Sequence, residues 1–143
     1  MKHNIIKSLV ALALGALLLT SCGKDNKDNE ALIGKWYNTA QSYEITIDGQ
    51  HNIPEGYICM EFTDDKVLTS DYRRDCLAAW HRYTLKKESG KQILEINEGC
   101  IGGLFVVEEL TSDKLVLASR FDMADWDFKY IMKRYESPSN DVK

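Results

Sequence analysis

The sequence predicts an all-β fold, an antiparallel meander of about eight strands curled into a small barrel. Three observations carry that expectation. Short apolar runs rich in Tyr, Val, Ile, Phe and Trp recur between Asp, Ser, Gly and Lys turns. Ile58, Met60 and Phe62 alternate with Tyr57, Cys59 and Glu61, the two-residue period of a half-buried strand. After the first 21 residues no stretch sustains helical periodicity, and Leu77 to Trp80 amounts to one turn at most.

Strands are expected near 35–39, 43–47, 57–62, 67–72, 80–86, 92–96, 104–110, 115–120 and 128–135. Two turns share one chemistry: Thr63-Asp64-Asp65-Lys66 and Thr111-Ser112-Asp113-Lys114 set Asp and Lys where a tight hairpin needs polar residues. Ser89-Gly90 makes a third hairpin, and Asp48-Gly49 opens a fourth connection. Closing the meander into a barrel removes the edges that a flat sheet of this size exposes.

The hairpin register also bears on the cysteines. A turn at Ser89-Gly90 brings Cys76 and Cys100 near each other at its open end, while Cys59 sits in mid-strand. The expectation is a Cys76–Cys100 bridge with Cys59 free, in an oxidising compartment.

Ahead of the barrel, Lys2 and Lys7 precede an apolar run over 9–19, followed by Leu19-Thr20-Ser21-Cys22. That is the layout of a cleaved export leader, too short to span a bilayer. Leu-Thr-Ser-Cys resembles the bacterial lipoprotein box. The resemblance implies that Cys22 is acylated and becomes the first mature residue, with membrane lipid as its partner. The alternative is a plain secreted protein whose Cys22 forms a disulfide. The chain then divides into a signal peptide (1–21), an acylated Cys and polar tether (22–31), a barrel domain (32–136) and a polar tail (137–143). The implied address is the bacterial cell envelope, lipid-anchored at the outer membrane, with the charged stretch after Cys22 loosely resembling a surface-export signal.

Cleavage removes two lysines and no acid from a formal charge of −4, leaving −6. No basic stripe is present to replace phosphate counterions, so a nucleic-acid partner is excluded. The same acidity argues against adhesion of the protein surface to an anionic bilayer.

Gly34-Lys35-Trp36 opens the first strand, Leu110 to Leu115 reads Leu-Thr-x-Asp-x-Leu, and Tyr130 and Arg134 end the last strand. In these motifs the chain resembles lipocalin-like domains of bacterial lipoproteins. The resemblance implies that Trp36 closes one end of the barrel beneath Arg134 (or Lys133), both in structural roles. The Thr-Asp-Tyr signature between late strands is absent, and Ser70-Asp71-Tyr72 comes too early to replace it. That departure favours a smaller, filled barrel over an open cup.

No catalytic residues emerge. No Gly-x-Ser-x-Gly elbow is present, and Gly99 to Gly103 has no downstream helix for phosphate. Glu108 and Glu109 are neighbours in a strand, expected on opposite faces and unsuited to shared acid–base work. A zinc site of Cys76 with His81 lacks a second ligand pair, and His51 stands apart. Asp122, Asp125 and Asp127 lack the spacing of a calcium loop. Neither a metal nor a cofactor is expected.

The aromatic residues Trp80, Tyr83, Phe105, Trp126 and Phe128 come from neighbouring strands. They are candidates to line a barrel mouth, with Arg82 or Arg120 as polar anchor. Ordinary core packing explains them too, because eight strands enclose little more than their own side chains. Two functions stay open: a non-enzymatic barrel holding a small apolar or amphipathic ligand, and an accessory protein docking another envelope protein through its outer face.

Overall fold

The computed structural model describes residues 29–76, 78–120 and 127–136. Its strands are β1 Gly34–Asn38, β2 Tyr43–Thr46, β3 Gly49–Asn52, β4 Ile58–Phe62, β5 Lys66–Asp71, β6 Ala79–Glu88, β7 Lys91–Ile96, β8 Gly103–Leu110, β9 Lys114–Ser119 and β10 Asp127–Arg134. They form one antiparallel sheet in the order β1-β4-β5-β6-β7-β8-β9-β10-β2-β3, and β1 also pairs with β10. That last pairing closes the sheet on itself.

Ten segments make eight staves. β1 and β2 lie in succession along one edge of β10, with Trp36 opposite Arg134 and then Tyr43 opposite Lys129. β3 and β4 follow in the same way, Asn52 opposite Tyr43 and Cys59 opposite Tyr37. Each of these two long arms is bent once, at 39–42 and 53–57. The Thr39 N–H donates to the Ile131 carbonyl and the Ile53 N–H to the Ser42 carbonyl, so the ladder survives the bends. The result is an eight-stave antiparallel meander barrel.

The turns follow their residue chemistry. Thr63 Oγ1 accepts the Lys66 N–H at 3.2 Å and Thr111 Oγ1 accepts the Lys114 N–H at 3.1 Å, the same side-chain turn used twice. Ser89 and Gly90 both take positive φ, at 50° and 78°, as a tight hairpin with right-handed strand twist requires.

β3 was not among the expected strands. All four of its residues are exposed, so it carries no apolar alternation and is held by pairing with β2 alone. The chain is also already fixed at Ala31, within the stretch read as tether: its carbonyl accepts from Arg134 Nη2 at 2.7 Å.

Alternation directs one face of every stave inward. Trp36, Met60, Phe62, Val67, Leu94, Leu115, Leu117 and Met132 are buried in one core cluster. The barrel has two unlike ends. The Trp36 end carries the turns at 63–65, 89–90 and 111–113. The other, here called the mouth, carries the bends at 39–42 and 53–57, residues 72–76 after β5, and the connection over 97–102.

Candidate binding site at the barrel mouth

Among the described residues, the mouth gathers charge that the rest of the interior lacks. Glu44 takes the inward position in Tyr43-Glu44-Ile45, opposite Phe128 on β10. Asp71 ends β5 on its inward face. They are 8% and 2% exposed, well below the ordinary exposure of carboxylates. After Asp71 the chain folds back sharply: the Arg73 N–H donates to Asp71 Oδ1 at 3.1 Å and the Arg74 N–H to the Asp71 carbonyl at 3.2 Å.

That turn drives Arg73 into the mouth. Its Nε donates to Asp71 Oδ1 at 2.9 Å, and its Nη2 donates to Asp71 Oδ2 at 2.7 Å and to Glu44 Oε1 at 2.9 Å. Arg74 lies farther out, 3.4 Å from Asp71 and 3.5 Å from Glu44. Burial alone would push the Asp71 carboxyl up. The hydrogen bonds from Arg73 and the charges of both arginines outweigh it and hold Asp71 below the usual carboxylate range. In turn, the bond to Asp71 keeps the Arg73 guanidinium firmly protonated, against the effect of its own burial.

Aromatic rings stand beside this network. Phe128 stacks on Tyr130 with centroids 4.5 Å apart, and Phe105 meets Phe128 edge-on at 5.5 Å. Burial first, and then the Glu44 charge, push the Tyr130 phenol well above its ordinary value. Thr69, two residues before Asp71 on the same inward face, is fully buried, and its hydroxyl has no hydrogen-bond partner. Gly99 closes over it: a Cβ there would meet Thr69 Oγ1 at 3.0 Å and the His81 ring at 2.6 Å. The Cys76–Cys100 disulfide ties residues 72–76 to the 97–102 loop, as the hairpin register led one to expect.

The residues singled out from sequence are divided by the structure. Phe105 and Phe128 do meet in the interior. Tyr83 is interior but at the Trp36 end, where it packs edge-on against Phe62 at 5.1 Å and donates to the Thr63 carbonyl at 2.6 Å. Trp80 and Arg82 point outward, and Trp80 is 47% exposed beside Leu68. The grouping of Trp80 with Tyr83 was mistaken for a plain reason: residues three apart in a strand face opposite sides. Arg120 is also at the surface, 2.7 Å from Glu88, and does not anchor the mouth. Trp126 and Cys22 lie outside the described residues, as do Asp122 and Asp125.

Trp36 and Arg134 meet at the far end, with the guanidinium carbon 4.3 Å above the ring centroid. Trp36 Nε1 donates to the Leu32 carbonyl at 2.8 Å. Cys76, weighed with His81 for zinc, is committed to its disulfide. Among the described residues no group of three His, Cys, Asp or Glu side chains gathers to hold a metal. Glu108 and Glu109 do not take opposite faces. A bulge between Val107 and Glu109 leaves both exposed, each 2.9 Å from a lysine, Lys129 and Lys114.

Glu44, Asp71, Arg73, Arg74 and Thr69 were not singled out from sequence. One signal was available: Glu44 occupies the inward place of an alternating strand, where a charge is out of pattern.

A second concavity lies outside the barrel. A groove of about 1050 Å³ runs over the outer face of β1, β4, β5 and β10, lined by Tyr37, Cys59, Leu68, Tyr72, Ile131 and Tyr135 among others. Cys59 is the free cysteine, its thiol 3.4 Å from the Gly56 carbonyl and pushed up in pKa by burial.

No protein-family model and no curated protein matches this chain. Two solved structures are similar to it. One is a lipocalin-like protein from Bacteroides uniformis, 15% identical, with a TM-score of 0.44 over 73% of this chain and 99% of that one. The other is an uncharacterized protein from Bacteroides eggerthii, 17% identical, with a TM-score of 0.45 over 72% and 98%.

Proposed function

We propose that this chain is a lipid-anchored, non-enzymatic protein of the bacterial cell envelope whose barrel mouth binds a small amphipathic molecule. One observation supports the mouth above other places: two buried carboxylates share a guanidinium there, and Glu44 lies opposite Phe128, which stacks on Tyr130. Buried ion pairs contribute little net stability and are often worse than apolar packing, so such a network at a barrel opening is better explained by recognition than by folding. The leader and its Leu-Thr-Ser-Cys box support the address and the anchor at Cys22. Native mass spectrometry of the protein purified from its parent cell tests the binding reading: a retained small molecule, lost in Phe128→Ala, is expected. The anchor has its own test, since Cys22→Ser should move the protein to the soluble fraction.

A second reading has its own support. Tyr57, Tyr72, Trp80 and Tyr135 are exposed, and two of them, Tyr72 and Tyr135, line the outer groove. Exposed aromatics in a patch favour docking of another envelope protein. That reading expects cross-links from this face, and no small molecule in the mouth.

A further inference from the structure

We infer that the mouth takes a small organic cation, an alkylammonium or alkylguanidinium, in the place filled by the chain's own Arg73. This rests on the mouth being the binding site and names the chemistry of its ligand. The barrel wall supplies the acids: Glu44 from β2 and Asp71 from β5 both accept from Nη2 of one guanidinium. Both cations, Arg73 and Arg74, come instead from the connection over 72–76 that follows β5, here called the strap, which is tied to the 97–102 loop through Cys76–Cys100. With the two arginines seated, these carboxylates are 8% and 2% exposed, and the wall strands contribute the acids while residues 73 and 74 contribute the cations.

Two further observations point to a ligand there. Thr69 Oγ1 is an unpartnered hydroxyl, fully buried, on the same inward face as Asp71. Phe128 stands opposite Glu44, with Tyr130 stacked on it and Phe105 at its edge. Carboxylates recognise ammonium and guanidinium groups by charge-assisted hydrogen bonds, and aromatic faces attract the same cations. The ligand's apolar body would lie along the three rings. An anion would meet two buried carboxylates, and a neutral amphiphile would leave them unpaired once Arg73 moved away.

The strap is built to yield locally. Cys76 is riveted to Cys100, so its base stays in place, while Asp75 takes a φ of 53° at the turn between rivet and arginines. Arg74 moves with Arg73 because the two are adjacent. Strap and ligand therefore compete for one seat, and the strap's occupancy lowers the apparent affinity for the ligand.

The test is calorimetric titration of the mature chain carrying Cys22→Ser with four probes: hexylammonium, hexylguanidinium, hexanoate and hexanol. The same titrations are run on Arg73→Ala and, in case the alanine variant folds poorly, on Arg73→Gln, which keeps most of the side-chain volume. The two cations should bind the Arg73 variants about tenfold tighter than the parent, and adding Glu44→Gln should remove the gain. Tighter binding of hexanoate or hexanol than of the cations overturns the cation assignment and leaves the mouth reading standing. Cation binding indifferent to Glu44→Gln also overturns it. Failure of all four probes in every variant overturns both.

Discussion

Arg134 lies over the Trp36 ring and fastens the chain that enters the barrel. Its Cζ is 4.3 Å from the ring centroid, and its N–H groups donate to the carbonyls of Ala31, Ile33 and Ser112. One side chain from the last stave thus holds the entry segment, the first stave and the β8–β9 turn together. Arg134→Ala should lower stability by about 2–3 kcal/mol, read from urea unfolding, since bonds from a charged donor contribute about 1.5–3 kcal/mol. A lysine at 134 recovers little, having no planar fork to reach several carbonyls.

Gly34 explains the glycine of the Gly-x-Trp run. Its φ is +127°, and a Cβ there would collide with Arg134 Nη1. Gly34→Ala should destabilise by about 1–3 kcal/mol through backbone strain and by displacing the guanidinium. In an Arg134→Ala background the same substitution should do less harm, because the clash has gone. A double-mutant cycle by denaturant unfolding measures the difference.

Acid should loosen the mouth. The folded Asp71 pKa is depressed, so its contribution is present above the unfolded value of about 3.9 and is lost as pH falls through the folded one. Thermal melts should fall steeply below about pH 4 in the parent chain. Asp71→Asn should start lower at neutral pH and flatten that dependence.

The two cysteines at the strap carry a separate load. Replacing Cys76 and Cys100 by Ser should remove about 3 kcal/mol, given a separation of 24 residues in sequence. Hydrogen exchange should rise first over 72–76 and 97–102, with the Trp36 end protected. Cys59→Ser, nearly isosteric at a half-buried position and able to keep the bond to the Gly56 carbonyl, should leave stability within about 1 kcal/mol of the parent.

The staves were legible because alternation is local. Ile58-Met60-Phe62 announces its own face, and the twin Thr-x-Asp-Lys turns announce their own hairpins. β3 was not legible because Gly49-Gln50-His51-Asn52 bury nothing; partnership with β2 makes it a strand. The Cys76–Cys100 pairing was within reach because one hairpin register determines it.

The site was harder to read because it depends on closure. Glu44 and Arg73 are 29 residues apart and meet only when β1 and β2 line up along β10. Inward and outward places were in principle readable. Applying strict alternation to β6 separates Trp80 and Arg82 from Tyr83. Which end of the barrel an inward residue occupies is a matter of stagger between distant staves, and no short window of sequence carries it.

Nitrogen-15 correlation spectra of the Cys22→Ser chain, titrated with hexylammonium, locate the site directly. Shifts concentrated at Glu44, Asp71, Arg73, Phe128 and Tyr130 are the predicted result. Shifts confined to Tyr37, Leu68, Tyr72 and Tyr135 would place binding on the outer groove and contradict the account.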